Sequence, residues 1–216
     1  MRWIPTLYNY DTYRASARPN NISATGLLGP LYKMKLKLED TPKDPAGIDI
    51  KFKRSSMIGT AVHERAEKAF AGDSTVIQEV YHERMVLIDG ITYWVSGTCD
   101  LLQREEDYTY TITDFKTGYG KKRDEKALAK DAMQMSIYRW LLQDIYEIND
   151  TAYSLFISQS NNEEAEYPLE LTSIDDIQNY IEERIWAATQ QQTPDCNDNI
   201  RYNGCQYCDL SCSHRQ

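Results

Sequence analysis

The chain has 216 residues, 41% hydrophobic and 26% charged, a balance that excludes a disordered chain and allows one sizeable core. No apolar run approaches the roughly 18 residues of a membrane span, and Met1-Arg2-Trp3-Ile4-Pro5 lacks a signal-peptide core, so a cytoplasmic protein is expected. The net charge of −9 argues against a nucleic-acid surface spread over the whole chain, yet residues 1–60 carry ten Lys/Arg against five Asp/Glu.

In chain order, the N-terminal segment reads as irregular, with Asn20 to Thr25 offering capping side chains before Leu27, Leu28 and Leu31. Pro42, Pro45 and Gly47 mark a loop. Ile58, Val62, Ala66 and Ala69 recur at helical spacing and predict a helix over 55–70. Two strands, 76–87 and 91–102, flank Asp89-Gly90, a strong type I′ hairpin signal. A third strand follows at 108–115, then a long helix over 125–146 with Leu128, Met135, Tyr138 and Leu142 as its buried residues. Strands over 152–158 and 166–171 precede a helix opened by Ser173, with Asp175 and Asp176 complementing its dipole.

The chemistry concentrates on two strands. Asp100 closes Gly97-Thr98-Cys99-Asp100, and Asp114-Phe115-Lys116-Thr117 follows fourteen residues later. Two carboxylates and a lysine on neighbouring strands can hold a hard cation and orient a water, and Mg²⁺ or Mn²⁺ suits oxygen ligands. Asp114 and Lys116 are two apart and project from one strand face. By itself Asp-x-Lys is also what a surface hairpin carries. His63 and Glu67, and Gln134 and Tyr138, are each four apart on their predicted helices. A lone helical histidine is more often a surface or capping residue. Lys116, Lys121, Lys122, Arg123, Lys126 and Lys130 form a local basic stretch of the kind that phosphate binding needs.

Taken in order, His63, Asp100, Asp114-x-Lys116 and Gln134-x3-Tyr138 resemble the PD-(D/E)XK nuclease superfamily, and within it the RecB-like branch. The match covers residues 55–142. The resemblance implies an α/β (α+β) restriction-endonuclease-like core, a mixed central sheet flanked by helices. It makes Asp100, Asp114 and the Phe115 carbonyl ligands of a catalytic Mg²⁺ or Mn²⁺, with His63 contributing to that site. Lys116 becomes the catalytic lysine, and Gln134 and Tyr138 support the site and contact DNA. Glu83 occupies the place of a strand glutamate often seen before the Gly-x-x-Asp motif.

Four of the five cysteines fall within seventeen residues: Cys196, Cys205, Cys208 and Cys212. In a cytosolic chain such clustering reads as a metal or cluster site before disulfides. A Cys₄ set suits tetrahedral Zn²⁺ and a 4Fe–4S cluster alike. The likeness to the Fe–S members, the AddB-type and CRISPR adaptation-type nucleases, favours the cluster. It departs from them at Gly29, which stands where their N-terminal cysteine would be, leaving Cys196 to substitute. Cys99, beside Asp100, reads as a small buried residue.

The domain expectation is a nuclease domain over 1–192 and a Cys-rich segment over 193–216. The function expected is a metal-dependent DNA nuclease, an exonuclease or a single-strand-specific one, in recombination, repair or phage DNA processing. The alternative is a non-cleaving nucleic-acid-binding or assembly subunit of a repair or CRISPR complex. Expected partners are DNA, a further copy of the chain or a recombination or repair protein.

Overall fold

A computed structural model describes residues 18–41, 50–120, 122–161 and 163–190. Among these, six strands form one sheet: β1 (Asn21–Ser23), β2 (Val76–Ile88), β3 (Ile91–Arg104), β4 (Tyr110–Gly118), β5 (Thr151–Ser158) and β6 (Glu164–Glu170). The helices are α1 (Ala24–Leu27), α2 (Leu31–Leu38), α3 (Ile50–Ala69), α4 (Glu125–Leu142) and α5 (Ile174–Thr189). This is the expected mixed sheet with flanking helices.

The hairpin forms where Asp89-Gly90 predicts it, with φ of 51° and 77°, the left-handed values a type I′ turn requires. Ile88 then pairs with Ile91, and the antiparallel register runs outward to Val76 and Gln103. β2 therefore occupies one whole edge of β3. The other edge is shared: β1 pairs in parallel with Trp94–Ser96, and β4 pairs antiparallel with Leu101–Arg104. Between these two ladders neither β1 nor β4 pairs with residues 97–100 of β3. The sheet splits there. β5 runs parallel to β4, and β6 antiparallel to β5.

α4 begins at Asp124, whose carboxylate accepts the Ala127 N–H at 2.7 Å, satisfying one of the unpaired donors of a helix start. From Gln134 to Leu142 every residue is buried. The helix lies against the sheet and against α5, whose stripe Ile177, Ile181, Ile185 and Ala188 is wholly buried. Each isoleucine of that stripe contributes about 1.5–3 kcal/mol through burial. α4 ends at Leu142, four residues before the predicted end. The chain turns there, with the Ile145 and Tyr146 N–H groups on the Leu142 carbonyl and the Tyr146 ring 4.9 Å from that of Tyr110.

The N-terminal segment differs from the irregular chain expected, because β1, α1 and α2 all form there. β1 has three residues and its ladder partner lies more than seventy residues away; α1 is a single turn. Neither is long enough to show periodicity. Long-range bonds hold them: Arg184 Nε and the Tyr180 hydroxyl on α5 donate to the Leu27 carbonyl at 3.0 and 3.3 Å.

Candidate active site

The split in the sheet gathers the chemistry. One step beyond the last β3–β4 pair, Leu101 with Thr113, the register sets Asp100 against Asp114; Asp114 in turn pairs with Ser154 on β5. Because the ladder stops there, Phe115 is released from β3. Its N–H donates to Asp100 Oδ2 at 2.8 Å, and its carbonyl accepts from His63 Nε2 on α3 at 2.9 Å. The Phe115 ring packs under α3, 6.0 Å from the His63 ring, and so fixes the histidine over the split.

Asp114 is 1% exposed. Its Oδ2 forms an ion pair with Lys116 Nζ but accepts no aligned hydrogen bond. Lys116 donates to Gln134 Oε1 at 3.1 Å, while Gln134 Nε2 faces Asp114 Oδ1 at 3.4 Å and the Tyr138 hydroxyl at 2.6 Å. The i,i+4 pair on α4 thus orients the lysine and carboxylate of β4. Tyr138 lies at the close end of this chain: a Cβ on Gly97 would stand 2.9 Å from its ring. Gly97 is therefore the residue that lets α4 approach β3.

Burial, and then the repulsion of Asp114, pushes the Asp100 carboxyl up to about 8. Asp114 is also raised by burial, opposed by the Lys116 ammonium. Burial and the Asp114 charge raise Tyr138, which stays a neutral hydroxyl. Two carboxylates side by side with one lysine leave a deficit of positive charge.

Glu79 completes the group. One ligand atom each from His63, Glu79 and Asp100 lies within 4.8 Å of the others. The β2–β3 pairing has a gap where Glu79 faces Asp100, and Glu79 takes φ = 48°. A non-glycine residue in the left-handed region costs on the order of 1 kcal/mol or more, and such strain clusters at functional sites. Glu83 stands elsewhere: it is bound by Arg18 at 2.5 Å and by the Tyr81 hydroxyl at 3.2 Å. Glu79, not Glu83, is the strand glutamate beside His63 and Asp100.

A hard divalent ion fits this donor set. His63 Nε2 donates to a carbonyl, so a neutral ring turns its Nδ1 lone pair toward Asp100 Oδ2, 3.5 Å away. Two acceptors so placed need a proton or a cation between them. The Asp114 Oδ2 atom, buried without an aligned donor, calls for the same.

The sequence profile of the PD-(D/E)XK nuclease superfamily matches residues 39–213. The chain belongs to that superfamily. Its members use divalent metals. Among solved structures 28 chains match; one is the crystal structure of SSO0001, with TM-score 0.65 and 21% identity over 95% of this chain and 92% of that one. At that identity the likeness shows a shared fold. No curated protein matches.

The structure brings His63, Asp100, Asp114, Phe115, Lys116, Gln134 and Tyr138 together at the split. Cys99 is buried in the core, where burial raises its thiol pKa. Cys196, Cys205, Cys208, Cys212 and the side chain of Glu67 lie outside the described residues, as does the boundary at 192. No helix among the described residues is long and apolar enough to cross a membrane.

Proposed function

We propose that this PD-(D/E)XK superfamily member is a Mg²⁺- or Mn²⁺-dependent DNA nuclease of exonucleolytic or single-strand-specific type, serving recombination, repair or phage DNA processing. The observation that carries this is the complete set of polar groups at the split: two carboxylates, a third from Glu79, an imidazole, and a lysine held by Gln134. Asp100, Asp114, Glu79, His63 and the Phe115 carbonyl would hold the ion. When bound, the ion supplies Lewis acidity at the scissile phosphate and lowers the pKa of an attacking water.

The chain's own residues supply position and charge. Lys116 is fixed between Asp114 and Gln134, so its remaining ammonium hydrogens are pre-aimed; they hold the attacking water or the charge growing on phosphate oxygen. Gln134 sets that geometry, and Tyr138 braces Gln134 from behind. Lys116 opposes the rise in pKa that burial imposes on Asp114.

We also propose that residues 193–216 form a separate segment in which Cys196, Cys205, Cys208 and Cys212 hold a 4Fe–4S cluster or Zn²⁺. Four thiolates with a Cys-x2-Cys pair support this. Anaerobic purification with a visible spectrum and metal analysis decides between the two, and protein free of iron and zinc refutes both.

End-labelled single- and double-stranded DNA with Mg²⁺ or Mn²⁺ tests the nuclease reading. Metal-dependent shortening by wild type, absent in Asp114→Ala, is expected. Intact DNA in every condition, or equal cutting by the variant, refutes it and leaves the non-cleaving binding subunit.

A further inference from the structure

Lys116 is followed by a groove that the cleavage chemistry does not use. It begins at Gly118, two residues past Lys116, has a volume of about 360 Å³, and is lined by Gly118, Gly120, Lys122, Arg123, Lys126 and Phe156 among others. A Cβ on Gly118 would stand 3.1 Å from the Phe156 ring, so close backbone approach shapes the floor. Tyr119, between the two lining glycines, is 54% exposed.

Charge concentrates here. Residues 116–130 hold six Lys/Arg against two Asp/Glu, in a chain whose net charge is −9. Lys126, Lys130 and Gln134 follow one another at i,i+4 along α4, so one helical stripe leads from the groove to the group that holds Lys116. Lys130 is close enough to Lys116 and Arg123 for their charges, after partial burial, to pull its pKa down. Arg123 is itself anchored: its guanidinium grips Asp131 at 2.6 and 3.0 Å, and Ser154 Oγ donates to the same carboxylate at 3.2 Å. Asp131 is 2% exposed. The fixed arginine therefore braces the wall, and Lys122 and Lys126 line the groove beside it.

We infer that the groove and the α4 stripe form a track for single-stranded DNA leading to or from the cleavage centre. Lys122, Lys126 and Lys130 contact successive non-scissile phosphates, and Tyr119 stacks on a base. Phosphate contacts carry affinity without sequence preference, whereas an exposed aromatic ring beside them reaches only an unpaired base. The assignment rests on the nuclease reading for its direction toward the active centre, and binding tests it without any cleavage.

The test measures fluorescence anisotropy of labelled dT20 and of a blunt 20-base-pair duplex in EDTA, with wild type, Lys122→Gln/Lys126→Gln/Lys130→Gln and Tyr119→Ala, after circular dichroism shows each variant folded. The triple variant is expected to bind dT20 about 10- to 100-fold more weakly at 0.1 M salt. Its slope of log affinity against log salt falls by about 2, three contacts at about 0.7 each. Tyr119→Ala loses about fivefold or more on dT20 and little on the duplex. If the triple variant does not fold, Lys126→Gln alone carries the test, with a slope change of about 0.7. Unchanged affinity and slope overturn the track while wild-type cleavage leaves the nuclease reading intact. Equal binding of duplex and dT20 overturns the single-strand assignment. Wild type that binds through these lysines but cuts nothing supports the track and overturns the nuclease reading instead.

Discussion

Gly97→Ala adds one methyl group at the point where α4 approaches β3. The new Cβ would lie 2.9 Å from Tyr138 Cε1, 3.1 Å from Leu141 Cδ1 and 3.2 Å from the Ala24 Cβ. Contact between carbons relaxes at about 3.5–4.0 Å, so all three neighbours must give way by several tenths of an ångström. Tyr138 and Leu141 are 5% and 1% exposed and Ala24 is 1% exposed, so none has empty space to enter. Overpacking of this kind costs about 1–3 kcal/mol, which in a chain of this size lowers the melting temperature by roughly 2–12 °C. Function suffers separately, since a displaced Tyr138 loosens Gln134 and through it Lys116. About a tenfold loss of cleavage is expected below the melting transition. Urea unfolding and a gel-based nuclease assay measure the two effects. Leu141→Ala opens one of the three contacts, so the double variant should be destabilised by less than the sum of the two singles, by about 0.5 kcal/mol or more. A Gly97→Ala protein that melts and cuts like wild type would refute the close-approach argument.

Three further outcomes are expected. Lys116→Met leaves Asp114 buried without its partner, costing about 3 kcal/mol at pH 8 and less at pH 5, where the carboxyl can protonate; equal losses at both pH values would count against it. Glu79→Gln weakens Mn²⁺ binding by about tenfold or more in calorimetry, whereas Glu83→Gln breaks only the Arg18 and Tyr81 contacts and leaves Mn²⁺ affinity alone. Reversal of that order would remove Glu79 from the site. The metal-free protein loses stability as pH rises. Asp100 ionises near 3.8 when unfolded and about 8 when folded, so between those values the native state holds the extra proton and each step up in pH favours unfolding. Melting in EDTA should fall from pH 5 to 8 and recover on adding Mn²⁺, and a flat profile in EDTA refutes the raised carboxyl.

Much of the candidate site was legible because its motifs are local. Asp114 and Lys116 share a strand face, and Gln134 and Tyr138 share a helix face, by periodicity alone; the bonds from Gln134 to Lys116 and Asp114 that join the two pairs needed the fold. Glu79 was legible in principle. The Asp89-Gly90 turn fixes Ile88 against Ile91, and counting outward on both strands arrives at Glu79 opposite Asp100. The family pattern points instead to Glu83, four residues nearer the turn, whose carboxylate is taken up by Arg18 and Tyr81. The strained φ that aims Glu79 at His63 has no sequence signature.

What the sequence by itself determined, then, is the order of elements from α3 onward, the hairpin and the acid–lysine pair, each set by turn chemistry or by a period of 2 or 3.6 residues. Only the tertiary structure decided where the sheet opens. The split exists because β1, from the far N-terminus, and β4 compete for one edge of β3 and leave residues 97–100 between them. It also decided why position 97 is glycine, a matter of how near a helix forty residues onward must come. Contacts at that separation leave no local pattern, because the residues that meet are chosen by packing and not by neighbours in the chain.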